Sequence, residues 1–160
     1  MKFLNLFLFL TIYSFTSFGQ EKSTELKRQI NEIENYIKLI DSNPQKNREE
    51  HDSKKIKNIE REERSWEAYC LKENKEGNKP LRIKYKEFGP KKTISLNLYY
   101  QKGEIVFAEY MEKQKKKNGT ILKTLFYFQK SILVYKTEEE NLKFSLSELF
   151  DNEKMIKAYF

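Results

Sequence analysis

Between Leu26 and Ile40 the apolar residues Leu26, Ile30, Ile33, Ile37 and Ile40 recur at spacings of four, three, four and three. That is the period of a helix with one apolar stripe. Glu25, Lys27, Arg28, Glu32, Glu34 and Lys38 fill the other positions, and Ser23 or Thr24 stands where an N-cap belongs. Asn43-Pro44 ends the segment, because the residue before a proline is pushed out of the helical region. A seam of little more than two heptads is short for a coiled coil, so the helix is expected to lie on a sheet. From Gln45 to Arg64 almost every position is polar, with only Ile56 and Ile59 to reach a core. This stretch is expected to be a solvated connector, and Pro44 at a first turn leaves room in it for a second, exposed helix.

After Arg64 the period changes to two. Runs rich in Tyr, Phe, Ile, Leu and Val predict strands at Ser65–Lys72, Leu81–Phe88, Thr93–Gln101, Glu104–Met111, Ile121–Gln129 and Ile132–Thr137. Between them stand Glu76-Gly77-Asn78-Lys79-Pro80, Gly89-Pro90, Lys102-Gly103, Asn118-Gly119 and Lys130-Ser131, connections too short for crossover helices. The sheet should therefore be antiparallel. Leu149, Phe150, Ile156, Tyr159 and Phe160 make Ser147 to Phe160 a C-terminal helix docked on it. The fold class is α+β: an N-terminal amphipathic helix on an antiparallel β-meander of about six strands, with a short C-terminal helix.

One hairpin is written twice. Leu98-Tyr99-Tyr100-Gln101-Lys102-Gly103-Glu104-Ile105-Val106-Phe107 is matched, 28 residues on, by Phe126-Tyr127-Phe128-Gln129-Lys130-Ser131-Ile132-Leu133-Val134-Tyr135. A turn centred on Lys102-Gly103 sets Tyr100 against Ile105 and Leu98 against Phe107. The same count groups Phe126, Phe128, Leu133 and Tyr135. That apolar face, continued by Leu96 and Ile94, is expected to meet the helix of Leu26–Ile40. The opposite face then carries Ser95, Asn97, Tyr99, Ala108, Tyr110, Lys123 and Tyr127. Tyr99, Tyr110 and Tyr127 on it are candidate contact residues, since tyrosine offers large amphipathic area at low entropic cost. The aromatic strand, Lys-Gly turn and Ile-Val-Phe of Leu98 to Tyr135 resemble the strand-turn-strand repeats of MORN-like modules and of small exported bacterial proteins, with Ser131 where the repeat has glycine. The resemblance implies a fold and no activity. A helix before an antiparallel meander is also similar to cystatin-type architecture.

The N-terminus alters the domain count. Lys2, the apolar stretch from Phe3 to Ile12, and small residues Ser17 and Gly19 before Gln20 have the order of a secretory signal peptide, and the stretch is too short to span a bilayer. The expected organisation is residues 1–19 signal peptide, 20–44 N-terminal helix, 45–64 polar connector, and 65–160 sheet with C-terminal helix. Residues 20–160 form one domain. The location is then periplasmic or extracellular, with no transmembrane segment in the mature chain. Composition rich in lysine, asparagine and phenylalanine suits an AT-rich bacterial genome. No disulfide within the chain can form, because Cys70 is the only cysteine. It reads as a small buried hydrophobe.

Charge and chemistry narrow the function by exclusion. The net charge is +7, concentrated in Lys113, Lys115, Lys116 and Lys117 before Asn118-Gly119, with Lys91 and Lys92 in another loop. Lys115, Lys116 and Lys117 are candidate contacts for an anionic surface or acidic partner. Nucleic acid is not expected for an exported chain poor in arginine. His51 is the single histidine and sits in the polar connector, so multi-histidine metal sites and histidine acid–base catalysis are not expected. Glu138, Glu139 and Glu140 read as a solvated turn, and the five glycines are isolated, so no phosphate loop exists. No catalytic residue, metal or cofactor is assigned. The expectation is a non-enzymatic binding protein with a protein or envelope partner, using its sheet surface or basic loops. The alternative is an envelope inhibitor or immunity protein, and an enzyme ranks third.

Overall fold

The computed structural model describes residues 23–42, 49–57, 63–73, 79–115, 119–137, 139, 142–158 and 160. The expected signal peptide (residues 1–19), Pro44, Lys116, Lys117, Glu138, Glu140 and Tyr159 lie outside the described residues. Helix α1 covers residues 23–42. Strands β1 (Glu49–Lys57), β2 (Glu63–Lys72), β3 (Pro80–Phe88), β4 (Lys92–Gln101), β5 (Glu104–Gln114), β6 (Ile121–Gln129) and β7 (Ile132–Lys136) follow, and then α2 (Leu146–Lys157). The chain divides into a first unit ending at Lys38 and a second from Leu39 to Phe160.

Within the first unit the helix carries ion pairs from Arg28 to Glu25, at 2.6 Å, and to Glu32 one turn on. Those pairs use the three- and four-residue spacings that bring helical side chains together. Within the second unit the strands lie side by side in chain order, every neighbouring pair antiparallel. Six of them match the strands legible in the sequence. The seventh, β1, occupies part of the segment expected to be a connector or a second helix. It sits at the sheet edge, where its backbone pairs with β2 from Glu49 opposite Leu71 to Lys57 opposite Glu63. An edge strand is held by main-chain bonds on one side, so it needs no apolar alternation, and charged residues there discourage further pairing.

The core lies on one face of the sheet. Trp66, Ala68, Cys70, Ile83, Tyr85, Leu96, Leu98, Tyr100, Ile105, Ala108, Tyr110, Phe126 and Phe128 cluster there with Phe144, Leu149 and Ile156. The last two belong to α2, so this face, expected beneath the N-terminal helix, is closed by the C-terminal one. Ser145 starts α2 as N-cap, in a reciprocal bond with Glu148 that satisfies two end groups of the helix. On the opposite face, still within the second unit, stands Asp41. Its carboxylate accepts from Arg82 Nη1 at 2.5 Å and from the Tyr99 hydroxyl at 2.9 Å.

The two repeated hairpins share more than sequence. Both turns place both central residues at positive φ: Lys102 at 55° and Gly103 at 86°, Lys130 at 50° and Ser131 at 62°. Positive φ at both positions is the type I′ requirement, whose twist suits a two-residue hairpin. Each also skips one residue in the same place. Tyr100 faces Ile105 but Tyr99 faces Phe107, leaving Val106 unmatched; Phe128 faces Leu133 but Tyr127 faces Tyr135, leaving Val134 unmatched. This bulge corrects the sequence-based division of faces. Phe107 and Tyr135 join Tyr99 and Tyr127, whereas Ala108 and Tyr110 turn to the core, because one extra residue in a period-two strand inverts everything beyond it.

Candidate functional site

The three candidate tyrosines do not form one surface. Tyr99 and Tyr127 share a face, joined through Phe107, whose ring centroid lies 5.8 Å from Tyr99 and 5.0 Å from Tyr127. Tyr135 extends the row at 5.8 Å from Tyr127. Tyr99 and Tyr127 are each 4% exposed, so their rings are packed rather than offered to a partner. Burial, and then the bond to Asp41, raises the Tyr99 phenol above its ordinary range. Beside this row the polar positions are also paired: Asn97 donates to Glu109 at 2.8 Å, and Lys123 meets Glu109 at 2.6 Å. Tyr110 lies on the other side of the sheet and is 7% exposed.

The lysines gather. The Lys115 backbone N–H donates to the Lys91 carbonyl at 3.0 Å, and Thr93 pairs with Lys113. Two loops that the sequence keeps apart thus share one end of the sheet, where Lys91, Lys113 and Lys115 are exposed. Gly89, Pro90, Lys91, Lys92, Ile94 and Gln114 surround a hollow of about 360 Å³ at this end. The turn is tight at Gly89: its N–H donates to the Lys92 carbonyl, and a Cβ there would meet that oxygen at 3.1 Å.

A second hollow, of about 320 Å³, adjoins it and shares Glu87, Lys92 and Ile94. Its plan follows from the register. Ile94 pairs with Glu87 on one side and Glu112 on the other, and Leu96 pairs with Tyr85 and Tyr110. On each flanking strand the tyrosine hydroxyl donates to the glutamate two residues on, Tyr85 to Glu87 at 3.2 Å and Tyr110 to Glu112 at 2.6 Å. Two Tyr–Glu pairs therefore stand on either side of an Ile94–Leu96 floor, two strand spacings or about 10 Å apart at the backbone. Phe144 stacks flat on Tyr110 with centroids 3.7 Å apart, and Glu148 and Asn152 of α2 complete the wall.

Electrostatics at the two pairs are explicit. Burial alone would raise the Glu112 carboxyl, but the bonds from Lys92, at 2.6 Å, and from Tyr110 outweigh it and hold the group below its ordinary value. Tyr110 moves upward, through burial first and then through Glu112. Glu148 is lowered by the backbone and side chain of Ser145. Tyr110 was a candidate in the sequence, but on the other face; Tyr85, Glu87, Glu112 and Glu148 escaped the sequence reading, although a signal existed: Tyr85-Lys86-Glu87 and Tyr110-Met111-Glu112 repeat the same Tyr-x-Glu spacing on two strands.

Cys70 is 2% exposed within the core. No group of His, Cys, Asp and Glu among the described residues has the geometry to hold a metal ion, and no helix there is long and apolar enough to cross a membrane. Comparison with protein-family models, with curated proteins and with solved structures finds no match in any of the three.

Proposed function

We propose that this chain is an exported, non-enzymatic binding protein that meets an acidic partner through the lysine-rich end of its sheet. The observation that carries the reading is the Lys115-to-Lys91 backbone bond, which joins two lysine loops into one cationic surface beside a hollow. Clustered exposed lysines attract an oppositely charged surface over about a Debye length and speed encounter, with an effect that salt weakens. The buried Tyr99 and Tyr127 hold the sheet together in this reading and do not touch the partner.

The test is capture from an envelope extract by the protein and by a Lys91→Ser/Lys113→Ser/Lys115→Ser variant, at low and high salt. Expected is a stoichiometric acidic protein retained by the parent and lost both in the variant and at high salt. Equal capture by both proteins at both salts would overturn the reading. A captured hydrolase or toxin that loses activity in the complex would identify the chain as an inhibitor.

A further inference from the structure

The hollow between the two Tyr–Glu pairs has a chemistry of its own, distinct from that of the lysine-rich end. At about 320 Å³ it falls within the range of small-molecule sites. Its floor is apolar, Ile94 and Leu96, and aromatic rings stand around it: Tyr85 from β3, Tyr110 from β5, and Phe144 stacked on Tyr110. Three carboxylates line it, Glu87, Glu112 and Glu148, against two amines, Lys92 and Lys143. Lys92 is already engaged with Glu112. An anionic ligand would face this carboxylate excess. A neutral apolar ligand would desolvate the glutamates without replacing their water, which is costly.

We infer that this hollow is a binding site for a compact organic ammonium ion with a short alkyl stem. The stem lies over the Ile94 and Leu96 floor, and the charged head stands among the glutamates. An ammonium ion gains charge-assisted hydrogen bonds from the carboxylates, and the aromatic side chains that line the same hollow keep those bonds partly shielded from water. The tyrosine hydroxyls already donate to Glu87 and Glu112, so each carboxylate is oriented before the ligand arrives. Pre-orientation of this kind lowers the ordering cost of binding. A lysine side chain presented by another protein and a free alkylamine have this chemistry in common.

A reporter stands beside the site. Trp66 is the single tryptophan of the chain, and its ring centroid lies 6.2 Å from that of Tyr85. Titrating the purified protein with n-butylammonium chloride should give a saturable change in Trp66 emission. Sodium chloride and sodium butyrate at equal ionic strength should not. Glu112→Gln should weaken binding at least five-fold; Glu87→Gln, away from the Lys92 ion pair, serves if circular dichroism shows the first variant unfolded. Nα-acetyl-lysine methylamide and putrescine form two further arms, and the tighter of them assigns the source as a protein lysine or a free amine. An equal response to butyrate or sodium chloride, or an unchanged midpoint in a folded Gln variant, would overturn the assignment. No partner protein enters this titration, so its failure leaves capture at the lysine-rich end unaffected, and the reverse holds too.

Discussion

The two copies of the hairpin differ where the turn is most demanding, which makes exchange of Gly103 and Ser131 a sharp test of the geometry. Gly103 has φ of 86° and Ser131 has φ of 62°, so both occupy left-handed backbone. A side chain costs about 1–2 kcal/mol there, whereas glycine brings back roughly 0.5–1 kcal/mol of unfolded-state entropy. Ser131→Gly should therefore stabilise the protein by about 0.5–1 kcal/mol, and Gly103→Ser should destabilise it by a similar amount. Among the described residues the added side chain meets little at Gly103, since a Cβ would touch the Lys79 Cδ at 4.0 Å, an ordinary contact. Backbone strain is then the term being measured. Urea unfolding followed by Trp66 fluorescence is the assay. With a slope of about 2 kcal/mol/M, the midpoints should move roughly 0.25–0.5 M in opposite directions with the slope unchanged. A lower midpoint for Ser131→Gly, or no change for Gly103→Ser, would refute the type I′ reading of both turns.

Four further outcomes are expected. Burial, followed by Glu153 for Tyr100, Asp41 for Tyr99 and Glu112 for Tyr110, raises all three phenols in the folded state. The unfolded chain releases these protons near pH 10 while the folded one keeps them, so stability is complete below that pH and falls above it, by at most about 1.4 kcal/mol per pH unit for each tyrosine. A urea midpoint that stays flat from about pH 9 to 11 would contradict this. Leu149→Ala and Ile156→Ala, both at 0% exposure, should each cost about 2–5 kcal/mol by calorimetry, and a loss below about 1 kcal/mol would mean that α2 does not close the core. Asp41→Asn should cost about 0.5–1.5 kcal/mol in urea unfolding, since the amide still accepts one bond and the side chain is half-exposed, with most of the loss absent in a Tyr99→Phe/Arg82→Met background, the signature of coupled partners. N-terminal sequencing of protein from the envelope fraction should begin at Gln20; recovery only from the cytosol with Met1 intact would end the export proposal.

Where two independent cues agreed, the fold was legible. Strands β2 to β7 are runs rich in Tyr, Phe, Ile, Leu and Val separated by short turn sequences, and α2 shows Leu149 and Ile156 seven apart. β1 has no such cue, since Glu49 to Lys57 holds one apolar residue, Ile56, and its place depends on backbone pairing with β2. The faces failed for a different reason. Ile105-Val106-Phe107 and Leu133-Val134-Tyr135 are uniformly apolar, so no polar residue marks which position the partner strand skips. The lysine-rich end was half legible. Both loops were visible, but their union requires the register of β4 on β5. The Tyr–Glu pairs were present as a spacing whose meaning depended on which way Tyr110 points.

That dependence gives the repeated hairpin a functional consequence. Without the unmatched Val106, Tyr110 and Glu112 would follow Tyr99 onto the Asp41 side, and the β3 pair of Tyr85 and Glu87 would have no counterpart across Ile94 and Leu96. One inserted residue near the turn re-aims the remainder of the strand. β5 runs to Gln114, far enough past its bulge to carry both Tyr110 and Glu112 to the core side. β7 ends at Lys136, the first residue beyond Tyr135, so past its bulge the second copy turns one side chain inward, the lysine whose Nζ lies 5.5 Å from the Phe126 ring centroid. Two hairpins of the same design thus serve different ends because their outer strands differ in length. The second completes the aromatic row of Tyr99, Phe107, Tyr127 and Tyr135, and the first builds a wall of the hollow.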